Sequence, residues 1–361
     1  MSTSLPKSRS LLRRYLVAGY AVLIIYASLA PFLGWQDQGL EFWAVLTSPL
    51  GLTYTGFDAL SNLLAYFPFG LLLALTFRTY FGAWISVFLS VLVALALSVA
   101  MEYLQMYLPM RTSSNTDILT NSLGALAGAV LAVTIERRAW FVRVTHWRIG
   151  LFHQGAGVDF GLALVMLWMF AQINPSLPML GNVFLTEPAY RLLIAEPEAS
   201  FNVWESIAVA LNLLMVGGLL MILLRQRRHI VLGLVLLLSV VALAKFIAAA
   251  MLLKSWALML WLNGEAILGI VLGVMLIAAI AWQSHSRLVW ATALGALSYV
   301  VLTNWVLESG TPFAAMRLYH WRYGHLRNYN GLSHTLALFF PLLLVGYLWW
   351  VRTPNKHKDE R

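Results

Sequence analysis

Long apolar stretches separated by short polar segments make up most of this chain. An α-helix needs about 20 apolar residues to cross a bilayer. Stretches of about that length lie at residues 15–33, 58–77, 81–107, 117–135, 153–173, 203–224, 230–253, 259–282, 288–307 and 332–351. The pattern therefore predicts an all-α fold, a polytopic transmembrane helical bundle of about ten spans.

Composition supports the same class. Of the 361 residues, 60% are hydrophobic and 11% are charged, and the mean hydropathy is +0.76. A soluble domain has about a quarter charged residues. Because the chain has no Cys, disulfides, thiol nucleophiles and Cys metal sites are excluded. The net charge of +9 comes from short basic clusters between apolar runs, which indicates membrane topology rather than nucleic-acid binding.

The basic residues alternate from one side of the membrane to the other. They concentrate before the first span, at Arg78, in the cluster 137–148, at 225–228 and in the tail 352–361, whereas loop 34–57 has none. Since cytoplasmic loops carry the excess of Lys and Arg, we expect a multi-pass protein of the bacterial cytoplasmic (inner) membrane with both termini in the cytoplasm.

The first apolar segment has a second interpretation, a cleavable signal peptide, because it has a basic start and small residues near its end. Pro31 directly follows Ala30 and disfavours cleavage there. We therefore interpret the segment as a retained span, followed in loop 34–57 by a short helix in the headgroup layer.

Two polar side chains lie inside the end of the third span. Glu102 is about five residues from the end of its apolar run, which places its carboxyl roughly 7–8 Å inside the apolar layer. A carboxylate at that depth is costly and marks a candidate site. Gln105 follows about one turn later on the same face.

More polar residues are expected at this membrane depth on neighbouring spans. Arg111 follows the third span, Asp117 is predicted to cap the fourth with Asn121 one turn on, and Asp58 and Asn62 begin the second. Each acid also has a plain role as a helix cap. The candidate binding site consists of Asp58, Asn62, Glu102, Gln105, Arg111, Asp117 and Asn121. We expect a pocket open to the outer leaflet, with direct interaction between Glu102 and Arg111.

The fourth span contains Gly124 and Gly128, a GxxxG motif. Such spacing lets two helices approach closely. We expect it to bring the fourth span against the second or third.

These motifs, taken in order, resemble the signature of VanZ-like membrane proteins. The motifs are Asp58-x3-Asn62-x5-Pro68-x-Gly70, Glu102-x2-Gln105-x3-Pro109-x-Arg111 and Asp117-x3-Asn121-x2-Gly124-x3-Gly128. The resemblance implies a VanZ-like transmembrane domain in residues 1–150, with core motifs at 58–128. The family is named for a protein associated with teicoplanin resistance, and relatives of this length often accompany exopolysaccharide or envelope genes.

The chain departs from the family pattern at one place. Many members have Asp-Lys and a His where this chain has Asp58-Ala59 and Asn62. That difference weakens any proposal of a histidine acid or base here.

Residues 151–361 form a second transmembrane domain, interpreted either as a degenerate repeat of the first plus two C-terminal spans or as an unrelated bundle. Asn212-Leu-Leu-x3-Gly218 is similar to Asn62-Leu-Leu-x5-Gly70. Lys245 lies within a span, and the sequence predicts either an ion pair with Glu265 or a side chain that extends to the membrane surface.

The loop from Glu308 to His334 is rich in basic and aromatic residues, and its histidines are His320, His325 and His334. Their spacing matches no compact zinc pattern, so we predict an interfacial belt able to contact anionic headgroups. No metal site is predicted.

No Walker motif, HExxH or nucleophile elbow is present. Three function classes remain. The favoured one is a protein that binds a lipid-linked envelope precursor or glycopeptide at the outer leaflet. The others are a membrane enzyme using Glu102 and Asp117 as acid, base or cation ligands, and a scaffold or transport subunit of a polysaccharide system. No cofactor is expected, apart from the option of a divalent cation at the acidic cluster. The expected partners are the bilayer, an anionic or polyprenyl lipid, a glycopeptide and polysaccharide machinery, but not nucleic acid.

Overall fold

The computed structural model describes residues 11–49, 56–136, 138–185, 201–308, 310–311, 313–320 and 324–352, with the backbone alone at 57 and 324–328. The expected contacts of Arg322, His325 and Arg327 therefore lie outside the described side chains. Within these ranges the α-helices are α1 Leu12–Leu29, α2 Phe42–Thr47, α3 Gly56–Phe77, α4 Ala83–Gln105, α5 Asn115–Ile135, α6 Ala139–Leu151, α7 Ala156–Gln172, α8 Val203–Leu223, α9 Ile230–Leu252, α10 Gly264–Ala281, α11 His285–Trp305 and α12 Gly324–Arg352.

The predicted all-α membrane bundle is confirmed. Nine helices in the described ranges are long and apolar enough to cross a membrane. The predicted span at 153–173 is instead the helix α7, which has only 17 residues. At 1.5 Å per residue α7 is about 25 Å long, shorter than the roughly 30 Å apolar layer.

Exposed tryptophans lie at helix ends. Trp84 is 85% exposed beside the start of α4, Trp282 is 92% exposed just after α10, and Trp305 is 81% exposed at the end of α11. Tryptophan is enriched where a membrane meets water, because its ring is apolar and its N–H is polar. The exposed apolar surface of these helices suits a lipid environment.

By its internal contacts the chain divides into two compact units, residues 1–150 and 151–361. In the first unit α3 packs along α5, with α4 against both and α1 against α3 and α4. The central core of this unit includes Tyr66, Phe69 and Leu73 of α3, Ala94 of α4 and Ala125 of α5.

Ionic contacts join three elements at one end of the first unit. Glu136, which follows α5, accepts a hydrogen bond from Arg78 Nε at 2.8 Å and lies 3.7 Å from Arg13 Nη1. These contacts hold the start of α1, the end of α3 and the end of α5 together. The polar cluster described below lies at the opposite end of α4 and α5.

Helix α8 is the centre of the second unit. It packs against α10 and α11 along much of its length and also contacts α7 and α9, and nearly all of its residues are buried. A helix that is apolar on all sides is typical of such a buried position. Gly269 of α10 allows close approach, since a Cβ there would meet Ser206 O at 2.5 Å.

Candidate functional site

Glu102 lies in the last turn of α4 and is only 3% exposed. Its Oε2 accepts a hydrogen bond from the backbone N–H of Ser114 at 2.8 Å. Ser114 is the N-cap of α5, and its hydroxyl accepts from Thr116 N. The carboxylate therefore connects the end of α4 to the start of α5, where helix N–H groups favour negative charge.

The prediction that Asp117 caps the helix is wrong, because Ser114 has that position. Asp117 lies in the first turn of α5, half-buried, where it interacts electrostatically with Glu102. An acid at this place in a helix still benefits from the helix dipole. Two carboxylates are therefore neighbours at the N-terminal end of α5.

Arg111 and Gln105 bind the C-terminal carbonyls of α1. Arg111 Nη2 donates to Ala27 O at 2.6 Å and to Ala30 O at 3.0 Å, and Gln105 Nε2 donates to Ser28 O at 3.0 Å. The last carbonyls of a helix lack partners within it. These two predicted site residues thus have a structural role as caps of α1.

The charges of Arg111 and Glu102 do influence one another. Burial lowers the pKa of the Arg111 guanidinium from its ordinary value, and the negative charge of Glu102 opposes that shift. The two residues are thus electrostatic neighbours, while the hydrogen bonds of Arg111 described above go to backbone carbonyls.

Three buried polar atoms near Glu102 make no short hydrogen bond among the described residues, although the Tyr66 hydroxyl still interacts with Ser98 and the Ser113 hydroxyl with Glu102. The three atoms are Tyr66 OH, Asn121 Oδ1 and Ser113 Oγ. The hydroxyl of Tyr66 lies within electrostatic range of both Glu102 and Asp117. Asn121 also donates from Nδ2 to Ser98 Oγ at 2.9 Å. Because buried polar groups are nearly always hydrogen-bonded, these atoms mark a place for a polar ligand or water.

Asp58 and Asn62 lie on the first two turns of α3 and are half-buried. The chain places them on the helix that also carries Tyr66. Sequence reasoning did not single out Ser114, because a lone serine in a loop carries no distinctive pattern. Tyr66 lies one turn after Asn62 in the sequence and therefore on the same face of α3.

The prediction for Gly124 and Gly128 is confirmed, because both glycines face α3. A Cβ at Gly124 would lie 2.9 Å from Leu63 Cα, and one at Gly128 would lie 2.9 Å from Leu71 N and nearer still to Phe67 O. Gly70 of α3 faces α5 in turn, with Ala125 Cα at 2.5 Å from a Cβ there. Close packing at these positions places the polar residues of α3 and α5 next to each other.

The predicted ion pair between Lys245 and Glu265 is wrong. Lys245 Nζ donates to Gln172 O at 2.9 Å and Asn174 O at 2.5 Å, while Glu265 Oε1 accepts from Asn202 N at 3.3 Å. Carbonyls at the end of α7 lack helical partners and attract a cation. The ammonium thus binds the end of a helix, which explains a fully buried lysine without an acid.

A second buried carboxylate, Glu205 of α8, was missed. It is 3% exposed, and it follows Asn202 by three residues, a spacing that indicates an ordinary helix cap. Asn202 is indeed the N-cap, with its side chain accepting from Trp204 N and Glu205 N. The Glu205 side chain instead accepts from Asn182 N at 3.1 Å. Among the described side chains, no group of three or more His, Cys, Asp or Glu is placed to hold a metal ion.

The fold and these buried polar groups define a multi-pass α-helical membrane protein. The VanZ/LLP1 family model matches residues 7–136. Residues 7–136 are therefore similar to this family, in agreement with the resemblance of the motifs. Neither the curated proteins nor the solved structures contain a match to the chain.

Proposed function

We propose that this VanZ-like protein binds the polar head of a lipid-linked envelope precursor, or a glycopeptide, at the outer leaflet of the bacterial cytoplasmic membrane. The observation that carries the proposal is the buried and unpaired Asn121 Oδ1, together with the Tyr66 and Ser113 hydroxyls, which are buried and make only weak contacts with Ser98 and Glu102. By family resemblance, the cellular setting is glycopeptide resistance or exopolysaccharide production.

The orientation in this proposal follows from the distribution of charge. Arg13 and Arg78 meet Glu136 at one end of the first unit, and basic residues favour the cytoplasmic side. Glu102 and Asn121 lie towards the other end of their helices, which then faces the outer leaflet. Both termini are cytoplasmic in this arrangement.

The chemistry of the cluster favours hydroxyl groups over phosphate as its ligand. Ionised carboxylates at Glu102 and Asp117 would repel a phosphate, and Arg111 Nη2 already donates to Ala27 O and Ala30 O. A sugar hydroxyl both donates and accepts, so it can bond to a carboxylate, the Asn121 carbonyl and the Tyr66 hydroxyl. The glycan part of a lipid-linked precursor therefore fits the cluster best.

Native mass spectrometry of the purified protein tests this proposal. Tyr66→Phe removes the buried hydroxyl, and Asn121→Ala removes Oδ1 together with the hydrogen bond from Nδ2 to Ser98 Oγ, so each should lower the amount of co-purified glycolipid at least several-fold. Ser90→Ala is the matched control, because Ser90 is buried on α4 but bonds to Ser86 O of its own helix. Equal glycolipid in all folded variants would refute the proposal.

A scaffold role is the second candidate, and the capping contacts of Gln105 and Arg111 favour it. In a scaffold, Glu102→Gln should lower the abundance and thermal stability of the protein. In a binding protein, the same change should lower ligand retention while the amount of folded protein persists. Measuring both quantities for this one variant separates the two roles.

A further inference from the structure

The second unit contains another group of buried polar side chains, near the N-terminal end of α8. Glu205 is 3% exposed, Tyr299 is 1% exposed, and Asn182 and Ser206 are fully buried. Asn182 belongs to a non-helical segment, residues 173–185, that follows α7 and is almost entirely buried. Non-helical backbone at membrane depth is tolerated only where protein surrounds it or it lines a polar cavity.

The backbone of this segment holds the carboxylate of Glu205. Its Oε1 accepts from Asn182 N at 3.1 Å and from Val183 N at 3.5 Å. Gly181 makes room for it, because a Cβ there would press against Glu205 Oε1 and lie 2.9 Å from Pro178 Cβ. The other oxygen, Oε2, has no hydrogen-bond partner in the described part of the chain.

Further polar atoms lie around this carboxylate without described partners. Both side-chain atoms of Asn182, the residue whose N–H holds Glu205, are buried and unpaired among the described residues. The same holds for Tyr299 OH, which lies within electrostatic range of Glu205. The hydroxyl of Ser206, next to Glu205 in α8, is a fourth such group.

The charge balance at Glu205 favours a cation. The neighbouring charge that acts on it is Glu265, which has the same sign, and Lys245 donates to backbone carbonyls elsewhere. An ionised carboxylate buried without a counter-charge is strongly unfavourable. Carboxylate, amide and hydroxyl oxygens are hard ligands that suit alkali and alkaline-earth ions. With one carboxylate, a monovalent ion leaves the site neutral whereas a divalent ion does not.

We propose that Glu205 Oε2, Asn182 Oδ1 and the Tyr299 hydroxyl bind a monovalent alkali cation, Na⁺ in the first instance, in the second unit. The ion would join α8 and α11 to the segment 173–185. This site is independent of the glycan-binding cluster proposed for the first unit.

The test measures the thermal unfolding midpoint of the full chain in detergent as NaCl replaces choline chloride at constant ionic strength. A ligand that binds the folded state raises the midpoint with its concentration. We expect a rise with Na⁺ in the wild type and its loss in Glu205→Gln. The control Glu265→Gln removes a neighbouring acid of α10 that accepts a backbone N–H but supplies no proposed ligand, and it should still show a rise of the midpoint with Na⁺.

If Glu205→Gln does not fold, Tyr299→Phe and Asn182→Ala remove one proposed ligand each and should shift the Na⁺ dependence to at least several-fold higher concentration. A KCl series shows which alkali ion the site prefers. A wild-type midpoint that is the same in NaCl, KCl and choline chloride would overturn the proposal. So would an undiminished Na⁺ response in the folded variants.

Discussion

Replacing Gly128 by alanine should destabilise the first unit, although alanine is the better helix former. At a helix position with open space around it, the same change would raise the free energy of unfolding by up to about 1 kcal/mol. At Gly128 the new Cβ would lie 2.9 Å from Leu71 N and nearer still to Phe67 O, whereas atoms pack at about 3.5–4.0 Å. Helices α3 and α5 would therefore have to separate by at least about 0.6 Å.

The expected loss of stability depends on how rigid the atoms are that the new Cβ would contact. Both atoms belong to the backbone of α3, so no side chain can rotate away. Overpacking of a close-packed core costs about 1–3 kcal/mol, and we expect Gly128→Ala to lie at or above the upper end of that range.

The assay is the free energy of unfolding in mixed micelles, measured for two matched variants. Gly19 of α1 is also helical and belongs to the same unit, but a Cβ there meets nothing within 4 Å. Gly19→Ala should therefore be neutral or slightly stabilising. If the two variants had equal stability, the reasoning from close α3–α5 contact would be refuted.

Three further predictions concern polar contacts. A double-mutant cycle between Lys245 and Glu265 should give additive losses of unfolding free energy, because their hydrogen bonds go to different backbone groups; strong coupling would contradict this. The same cycle for Arg78 and Glu136 should give a coupling below about 1 kcal/mol that vanishes in 1 M salt, since the pair is partly exposed. Gln105→Met leaves a carbonyl of α1 without its donor and should cost about 1–3 kcal/mol in chemical unfolding, and an unchanged midpoint would exclude the capping role.

The membrane class and the helix contacts could be predicted because they depend on local pattern. Span length follows from apolar runs, and the Gly124 and Gly128 spacing places two small residues on one helix face. Both signals are read within a single segment. Sequence and structure agree where the signal lies within one segment, even though the helix that Gly124 and Gly128 contact is distant in the chain.

The polar contacts were harder to predict because their partners are backbone atoms. Sequence reasoning matched Lys245 with a residue of opposite charge, but the ammonium binds carbonyls that become available where α7 ends. Arg111 likewise binds the end of α1. Which carbonyls are left without helical partners depends on where each helix stops, and that is the least certain feature of a sequence-based assignment.

The end of α7 lies within one residue of the predicted end. The helix stops at Gln172, whose carbonyl accepts from Lys245. The buried non-helical segment that follows supplies the N–H groups for Glu205. Periodicity alone gives no sign that a segment after a helix will be both irregular and buried.

The burial of α8 has a consequence for how the chain is made. The ribosome completes α8 before it synthesises α10 and α11, the two helices that cover most of its surface. Until α10 and α11 have entered the membrane, the faces of α8 that they cover must therefore contact lipid, water or the insertion machinery, whereas Glu205 and Asn212 can already bond to the earlier segment 173–185. The second unit can complete its core only late in synthesis, and a chain stopped after α9 would expose the apolar faces of α8 that α10 and α11 normally cover.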